Sequence, residues 1–339
     1  MSGPVAGEQR QILLARLPDD GGLSEDHFAV VRAPVPEPGA GQVLVRTLLL
    51  SIDAANRTWM DKATYRPQLV AGDVMAGYGL GEVVDANGTE LTEGTVVFAD
   101  LGWQELAAVS ADQAMAVTIS GELTHQVSVH GVSGMAAYFG TTDVGRVAPG
   151  ETFVVSAAAG ATGHLAGQIA RILGARVVGI TGSDEKNLML ESYLGFDATV
   201  NHRSASFAAD LKAACPEGVD VYFDNVGGRV LETVLRRMNT RGRVVCCGVV
   251  SHDPHACESR LAEVLPGVLI SRRIRMEGFI VMDETHRWPS ASLMLGRWLA
   301  DGRLKPLENP YEGLDQAPRA LLGLLEGANS GKTMVRVGG

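Results

Sequence analysis

The stretch SAAAGATGHLAGQIARILGARVVGIT, Ser156 to Thr181, decides the fold of this chain. An apolar strand leads into Ser156, a turn of small residues follows, and a helix with apolar residues at helical spacing begins at once. A second strand, RVVGIT, closes the unit. Small residues let the backbone approach a pyrophosphate, and the helix N-terminus supplies unpaired N–H groups and a positive dipole end. The pattern predicts a dinucleotide site, with Ala158 at the place of the first fingerprint glycine and the pyrophosphate on Gly160, Ala161, Thr162 and Gly163.

The end of the second strand indicates which dinucleotide is bound. NAD sites carry an acidic side chain about 20 residues after the glycine turn, where it holds the ribose 2′-OH. Here Gly182 and Ser183 occupy those positions, and Lys186 follows closely. A cation without the carboxylate favours a 2′-phosphate, so the segment predicts NADP(H). The alternative is a solvated Lys186, with Asp184 or Glu185 serving the 2′-OH.

Two different rhythms divide the sequence around this unit. From about residue 10 to 125, short β-rich runs alternate with Gly, Pro, Asp and Asn, which predicts an all-β barrel or sandwich-like unit. From about 150, short apolar strands alternate with helices, which is typical of a parallel sheet covered on both faces. The closing GKTMVRVGG predicts an edge strand that returns to the first domain.

Composition limits the classes of partner. The net charge of −10 and the absence of a Lys/Arg run argue against nucleic acid. No apolar stretch approaches the roughly 20 residues that span a bilayer, which predicts no membrane partner. The first twenty residues contain no apolar secretory segment. The cysteines at 215, 246, 247 and 257 have neither disulfide-framework density nor Cys-x-x-Cys spacing, so we expect reduced thiols and a cytoplasmic protein.

A series of motifs runs in order along the chain: AYFGTTDVG, SAAAGATG, GARVVGITGSDEK, LGFDATVN, GVDVYFDNVGG, CGVVS, RMEGFIV and N-x-GKT. Together they resemble the medium-chain dehydrogenase/reductase superfamily. The similarity is closest to its zinc-independent branch of leukotriene B4 12-hydroxydehydrogenase/prostaglandin reductase-like double-bond reductases. The resemblance implies an α/β protein with a GroES-like β-rich catalytic domain at 1–128, to which 303–339 returns, and a Rossmann doubly wound parallel-sheet domain at 129–302.

The resemblance also implies where the cofactor is bound. Lys186 and the residue after Asn201 would contact the 2′-phosphate; the family usually has Tyr there, whereas this chain has His202, with Arg203 next. Either side chain can hold a phosphate. A family Tyr near the substrate is also missing from SHDPH at 251–255. Asn225 could instead cap a turn, and Phe279 could be a core residue. The remaining implied contacts are Asn225, Cys247, Gly248, Val249, Ser251, Phe279, Ile280, Val281 and Asn329.

No metal site is expected. Zinc-dependent relatives in this superfamily need Cys and His ligands in the catalytic domain. The corresponding segments, LSIDAANRTW and AGDVMAGYGLGEVV, contain neither residue type, and a lobe of closely spaced cysteines is absent. Metal-assisted alcohol oxidation is therefore disfavoured.

Without a metal, the reaction must suit hydride transfer with modest polar assistance. A conjugated enone fits, because hydride adds to its β-carbon and the resulting charge on the carbonyl oxygen is stabilised by hydrogen-bond donors. The segment DKATYRP lies where related reductases place a substrate-facing aromatic, so the resemblance makes Tyr65 the candidate donor in the protein; the alternative is a half-buried loop residue. We therefore predict an NADPH-dependent reductase of small α,β-unsaturated carbonyl compounds. The resemblance also implies a homodimer, which we expect to form through the sheet edge near Arg275–Ile280. The alternatives are a quinone reductase, a zinc alcohol dehydrogenase and a non-catalytic NADPH-binding protein.

Overall fold

The computed structural model describes residues 7–19, 22–64, 66–119, 121–249 and 261–338, with the backbone alone for 261–264. Its contacts divide the chain into two compact units. One combines Met1–Val127 with Glu308–Gly339, and the other is Ser128–Leu307. The domain limits taken from the sequence, 1–128 with 303–339 and 129–302, stay a prediction beside this division.

The first unit is built on β-sheet. Within the described residues its larger sheet has seven strands in the order β14-β15-β3-β4-β5-β7, with β6 paired to β3 on a branch, and a separate hairpin joins β1 to β2. Short helices fill the connections. The bounds of the strands are β1 Glu8–Leu14, β2 Phe28–Pro34, β3 Gln42–Ser51, β4 Tyr78–Asp85, β5 Val96–Asp100, β6 Leu106–Ser110, β7 Met115–Ala116, β14 Glu308–Glu312 and β15 Lys332–Arg336, and the helices are α1 Ala55–Asp61, α2 Leu123–Val127 and α10 Ala317–Glu326.

The closing strand is not at an edge, so that prediction was wrong. β15 pairs in parallel with β14 on one side and antiparallel with β3 on the other. Its first four residues are buried, and the side chain of Lys332 is 1% exposed. The Lys332 Nζ donates to Ile52 O at 2.9 Å and to an Asp53 carboxylate oxygen at 2.6 Å. The outer neighbour of β15 is the segment ENPYE of β14, which pairs along its whole length. The sequence did not indicate this strand because Pro310 interrupts it.

The second unit is a parallel sheet between helices, as predicted. Six strands are ordered β10-β9-β8-β11-β12-β13 in the described part of the chain, and every paired neighbour is parallel. The strand order turns back between β8 and β11, which is the topological switch point of a doubly wound sheet. The strands are β8 Thr152–Ser156, β9 Arg176–Thr181, β10 Ala198–Asn201, β11 Val219–Asp224, β12 Met238–Cys246 and β13 Arg275–Gly278.

Helices follow most of these strands. The helix after β8 begins at Gly163 and buries Leu165, Ala166, Ile169 and Ala170 against the sheet, because these positions fall on one face at helical spacing. All five residues of β8 are buried, as expected of a strand covered on both faces. The helical bounds are α3 Val132–Phe139, a π-helix Gly140–Val144, α4 Gly163–Ile172, α5 Asp184–Ser192, α6 Phe207–Ala214, α7 Gly228–Leu235, α8 Leu261–Arg272, a 3-10 helix Val281–Arg287 and α9 Trp288–Ala300.

Each unit has its own apolar core. In the first, Ile12, Leu50, Trp103 and Val335 are fully buried together, so strands from both ends of the chain share one core. In the second, the core lies between the sheet and helices α6 and α7. No helix among the described residues is long and apolar enough to cross a membrane.

Candidate functional site

Most of the predicted cofactor residues in the second unit follow the carboxyl ends of its strands. Gly160–Gly163 come after β8, Lys186 after β9, His202 after β10, Asn225 after β11 and Cys247–Val249 after β12. Because parallel strands end at one edge of a sheet, these loops lie along the same edge. Ligands of doubly wound folds bind there, outside the switch point.

The glycine turn is a close approach between the end of β8 and the start of α4. Ala157 has a left-handed backbone with φ of +47°, which is strained for a residue with a side chain. A Cβ on Gly163 would collide with the carbonyl oxygen of Ala157, and a Cβ on Gly160 would lie 3.1 Å from it. Glycine is therefore required at 163 by the turn itself, as the fingerprint predicts.

His164 connects this turn to the end of the unit. Its ring is fully buried, Nδ1 lies 2.7 Å from Gly160 O, and the Leu307 N–H donates to Nε2 at 3.0 Å. Burial outweighs the bond to Gly160 and lowers the pKa of His164 to about 4. The histidine is therefore neutral at physiological pH. No sequence motif assigns His164 a role.

A cluster of cations surrounds Gly182 at the end of β9. A Cβ on Gly182 would lie 3.2 Å from both His202 Nε2 and Arg203 Nε. Burial first, and then the charge of Arg203, lower the pKa of Lys186. The pKa of His202 is likewise lowered, first by burial and then by Arg203 and Arg229. These groups disfavour one another's positive charge, so an anion bound among them would relieve the repulsion.

Ser183 and Asp184 beside the cluster have contacts of their own, whereas the charge of Glu185 raises the pKa of Lys186. Ser183 is the N-cap of α5, and its hydroxyl accepts from the Lys186 N–H at 3.3 Å. Asp184 accepts from Asn201 Nδ2 at 2.9 Å. Both His202 and Arg203 lie beside Gly182, so either side chain is placed to contact a 2′-phosphate there. Arg229, on α7, was missed from the sequence since it lies in a different strand–helix unit.

A buried carboxylate organises the loops at the switch point. Asp224 Oδ1 accepts from the Tyr222 hydroxyl at 2.7 Å and from the Gly227 N–H at 2.9 Å. Its backbone carbonyl accepts from the N–H groups of Cys247 and Gly248. Burial first, and then the charge of Asp224, raise the pKa of Tyr222 well above its ordinary value and that of Cys247 to about 12. Asp224 therefore fixes two loops at once, although the sequence analysis assigned only its neighbour Asn225.

Asn225 joins the ends of β8 and β11. Its N–H donates to Ser156 Oγ at 3.0 Å, and its Nδ2 donates to Ser156 O at 2.8 Å. A Cβ on Gly248 would lie 3.2 Å from Asn225 O, so the turn after β12 passes close above this residue. The contacts give Asn225 a structural role at the switch point, and cofactor contact stays a prediction for it, as for Val249, which is 76% exposed.

The last predicted contacts have varied settings. The Phe279 ring lies against Gly140 of the π-helix, since a Cβ there would be 3.0 Å from Phe279 Cζ. Ile280 is half exposed, whereas Val281 is buried and its carbonyl accepts from the Trp288 indole N–H at 3.3 Å. Asn329, in the first unit, donates to Gly331 O. The predicted catalytic Tyr65 and the predicted contact Ser251 lie outside the described residues.

Across the described residues, no three or more His, Cys, Asp or Glu side chains are grouped so that they could hold a metal ion. At the segment LSIDAANRTW, the ion pair of Lys332 with Asp53 occupies the end of β3, and the Ser51 hydroxyl donates to the same carboxylate. The polar groups at this place are therefore an ammonium, a hydroxyl and a carboxylate, and the ammonium already neutralises the carboxylate.

Comparison with known proteins places the chain in a family. A family model described as the N-terminal domain of oxidoreductase matches residues 10–117, and one described as zinc-binding dehydrogenase matches 161–296. The chain is 37% identical over 345 residues to the NADPH-dependent curcumin reductase of Escherichia coli, with 99% of each chain covered. It is also 37% identical over 317 residues to a 2-alkenal reductase (NADP(+)-dependent) of Nicotiana tabacum, covering 91% of this chain and 90% of that protein.

The fold agrees with a solved structure of the same group. The crystal structure of CurA in complex with NADPH from Vibrio vulnificus has a TM-score of 0.89 and 36% identity, covering 97% of this chain and 99% of that one. The predicted fold class, an N-terminal β-rich domain plus a Rossmann parallel sheet, is confirmed, as are the predicted family and the cofactor NADP(H). With its ordered motifs, its strand-end cation cluster and these full-length likenesses, the chain belongs to the zinc-independent medium-chain dehydrogenase/reductase family of NADP-dependent double-bond reductases.

Proposed function

We propose that this chain uses NADPH to reduce the carbon–carbon double bond of small α,β-unsaturated ketones and aldehydes. The observation that carries the proposal is the row of loops at the carboxyl ends of β8 to β12, with a cation cluster after β9 and β10. The two relatives supply the substrate class, since one is named a curcumin reductase and the other a 2-alkenal reductase.

The chemistry of the donor set fits NADPH at this edge. The turn Gly160–Gly163 has glycine at the two positions where the backbone passes closest to Ala157, and it leads into a helix N-terminus. Both features suit a pyrophosphate. His202 and Arg203 lie beside Gly182, and the charge of Arg203 lowers the pKa of both Lys186 and His202, so a bound dianion such as the 2′-phosphate would stabilise the positive charge of all three. Asp224 would hold the loops beneath the rest of the dinucleotide in place. Cys247, Gly248, Val249, Ser251, Phe279, Ile280, Val281 and Asn329 are proposed to complete the contacts.

The reaction follows from the electronic structure of an enone. When bound, NADPH supplies a hydride. The β-carbon of the substrate is electrophilic through the conjugated carbonyl, and negative charge develops on the carbonyl oxygen. The protein must therefore offer a hydrogen-bond donor to that oxygen and let a proton reach the α-carbon. We propose Tyr65 as the donor from the chain, with the nicotinamide ribose hydroxyl sharing the role.

Isotope labelling tests the reaction directly. With NADPH deuterated at C4, we expect deuterium on the β-carbon of the product and solvent hydrogen on the α-carbon. Replacing Tyr65 by Phe should lower kcat about tenfold, less than the 10²–10³ of a sole oxyanion donor, because the ribose hydroxyl remains. Deuterium on the carbonyl carbon would show a carbonyl reductase and contradict the proposal.

A substrate panel separates this function from its neighbours. NADPH oxidation should be fast with enals and enones and slow with quinones and saturated ketones, with products identified in each case. Faster turnover of quinones would favour the quinone reductase alternative. Tight NADPH binding without oxidation by any member of the panel would favour a non-catalytic protein.

We also propose a homodimer formed through β13. This strand lies at the end of the six-stranded order, and Ile280 beside it is half exposed. The strand reads RMEG, with Arg275 paired to Glu277, but an edge strand with unpaired backbone groups is a natural pairing surface, and two-fold symmetry is the commonest solution. Light scattering should give about twice the chain mass of 35.8 kDa; the mass of a single chain at micromolar concentration would refute the dimer.

A cytoplasmic location is proposed from the state of the thiols. Cys215, Cys246 and Cys247 are free among the described cysteines, which suits a reducing compartment. Burial raises the pKa of Cys215 to about 11, so this thiol is protonated and unreactive at neutral pH. Cell fractionation with antibody detection should recover the chain with cytoplasmic markers, and recovery in a secreted fraction would contradict this.

A further inference from the structure

His164 uses both ring nitrogens inside the second unit. Nε2 accepts from the Leu307 N–H at 3.0 Å, and because that group can only donate, Nε2 carries no proton. The neutral ring must then carry its proton on Nδ1, which donates to Gly160 O at 2.7 Å. The fully buried imidazole is thus held in one tautomer and one orientation.

The next turn of the same helix contacts the same segment. Gln168 Oε1 accepts from the Lys305 N–H at 2.8 Å, and Gln168 Nε2 donates to Lys305 O at 3.0 Å. Both Gln168 and His164 are buried. Residues 305–307, which we call the crossing segment, are therefore bound to α4 through backbone groups of Lys305 and Leu307.

The crossing segment ends where the chain leaves the second unit. Leu307 is the last residue of that unit, and β14 of the first unit begins at Glu308. One ring nitrogen of His164 therefore contacts the glycine turn, and the other contacts the end of the unit that carries the turn. Leu307 lies 143 residues away along the chain.

We propose that His164 is a positioning residue that holds the glycine turn in its NADPH-binding form and transmits NADPH binding to the crossing segment. The inference rests on the proposed role of Gly160–Gly163 as the pyrophosphate site. The Gly160 carbonyl is bound by a buried ring N–H, so this oxygen is directed into the unit, where it does not repel a phosphate. When a ligand restrains the turn, the ring is restrained with it, and so is the Leu307 N–H.

Two substitutions separate the two bonds. In His164→Asn, the side-chain amide takes the place of Nδ1 and can still donate to Gly160 O, but it is too short to reach Leu307. In His164→Gln, the amide takes the place of Nε2, so its oxygen can accept from the Leu307 N–H while the side-chain bond to Gly160 O is lost and only the backbone N–H of residue 164, at 3.2 Å, still donates to that oxygen. Each variant keeps a neutral polar group in the buried site, which limits the loss of stability.

Two measurements are made on each variant: the dissociation constant for NADPH by fluorescence titration, and hydrogen exchange at single amides with and without NADPH. His164→Gln should weaken NADPH binding about tenfold, the loss of roughly one hydrogen bond, whereas His164→Asn should stay within about threefold. His164→Asn should make the Leu307 amide exchange about tenfold faster for the same reason. NADPH should slow exchange at Leu307 in the native chain and leave it unchanged in His164→Asn.

The native chain alone can overturn the proposal. If saturating NADPH slows exchange at Gly163 and His164 but not at Leu307, the transmission is absent and the inference is wrong. If NADPH binds without changing exchange at Gly163 or His164, the turn is not the pyrophosphate site and the proposed cofactor assignment itself fails. Gln168→Met is the matched control: it should speed exchange at Lys305 and leave the dissociation constant within about threefold, because Gln168 has no contact with Gly160. A comparable loss of NADPH binding in Gln168→Met would show a merely structural effect.

Discussion

The methyl group of Ala158 lies directly over Gly179 of the neighbouring strand, so that a Cβ added at 179 would be 3.0 Å from it. Ala158 is fully buried. Ala158 stands where the first glycine of the dinucleotide fingerprint falls, and glycine at position 179 leaves room for its methyl group.

The first prediction concerns this pair. Gly179→Ala should lower the free energy of unfolding by about 1–3 kcal/mol, because the new methyl overpacks a site bounded also by Phe196 and Leu190. Ala158→Gly should lower it by about 1 kcal/mol through the lost methyl. In the double variant the contact between the two methyl groups is absent. The loss of stability in the double variant should therefore be smaller than the sum of the two single losses by at least about 0.5 kcal/mol. Urea denaturation measures the cycle, and strict additivity would show that the two sites are independent.

The second prediction tests the 2′-phosphate assignment. Lys186→Ala should raise the KM for NADPH about tenfold or more, as expected for the loss of a charge-assisted bond, and leave the KM for NADH nearly unchanged. Lys212→Ala, on the exposed face of α6, is the matched control and should change neither value. An equal loss with both cofactors would show that Lys186 does not read the 2′-phosphate.

The third prediction is a dependence of stability on pH. The pKa of His164 in the folded chain is about 4, below its ordinary 6.5, so between these pH values the unfolded chain binds a proton at this residue and the folded chain does not. The free energy of unfolding is therefore unaffected by this group above pH 6.5 and falls by about 3 kcal/mol as the pH is lowered towards 4. Comparing urea denaturation of the native chain and His164→Asn at several pH values isolates it. Identical slopes in the two proteins would contradict the buried neutral histidine.

The fourth prediction concerns metal. Activity should persist after prolonged treatment with chelators, because the described residues contain no cluster of metal-ligating side chains and the sequence lacks the Cys and His of a zinc site. Metal analysis of the purified protein should give far less than one zinc per chain. A stoichiometric zinc whose removal abolishes activity would overturn the zinc-free assignment.

The fifth prediction concerns the buried ion pair of the first unit. Lys332→Met keeps the volume but leaves Ile52 O and Asp53 without their buried cation, and should destabilise the chain by about 3 kcal/mol. Asp53→Asn should cost more, because it leaves the Lys332 ammonium, whose side chain is 1% exposed, without its counter-charge, whereas the Asp53 carboxylate left by Lys332→Met is 33% exposed and can be hydrated. The effects on the free energy of unfolding can be measured by urea denaturation. Equal effects would show that burial of the lysine is not the deciding factor.

Short strands buried on both faces were predicted well from the sequence. The runs TFVVS at 152–156, RVVGIT at 176–181 and VDVYFD at 219–224 predict strands, and β8, β9 and β11 have these bounds because each is an apolar run with a clear turn at its end. The run RVVCCG at 243–248 predicts the next strand, whereas β12 spans Met238–Cys246; its start was missed because polar, partly exposed residues follow the buried Met238. The predicted edge position of β15 was wrong because β14 pairs with it. The segment ENPYE of β14 does not alternate apolar and polar residues, so the sequence gives no sign of this strand.

Some residues of the candidate site have a local sequence signal and others have none. Lys186 and His202 could be predicted because local motifs place them just after strand ends. The proximity of Arg229 to His202 and the bond of His164 to Leu307 join distant parts of the sequence, and no periodicity or spacing encodes them. The role of Asp224 had a local signal, the DNVGG turn at a strand end, but its buried position becomes visible only in the fold.

The pairing of β15 with β3 also sets an order of events during synthesis. Residues 128–307 form a continuous unit that can fold while the rest of the chain is still being made. The β-rich unit must wait, since Met334 pairs with Ser51 and the buried Lys332 contacts Asp53. Until β15 is made, the end of β3 at Leu49–Ser51 lacks one of its two neighbouring strands, although β6 already pairs with Gln42–Arg46, and the Asp53 carboxylate has no lysine. The nascent N-terminal segment therefore carries a short unpaired strand edge, the kind of surface on which chains associate.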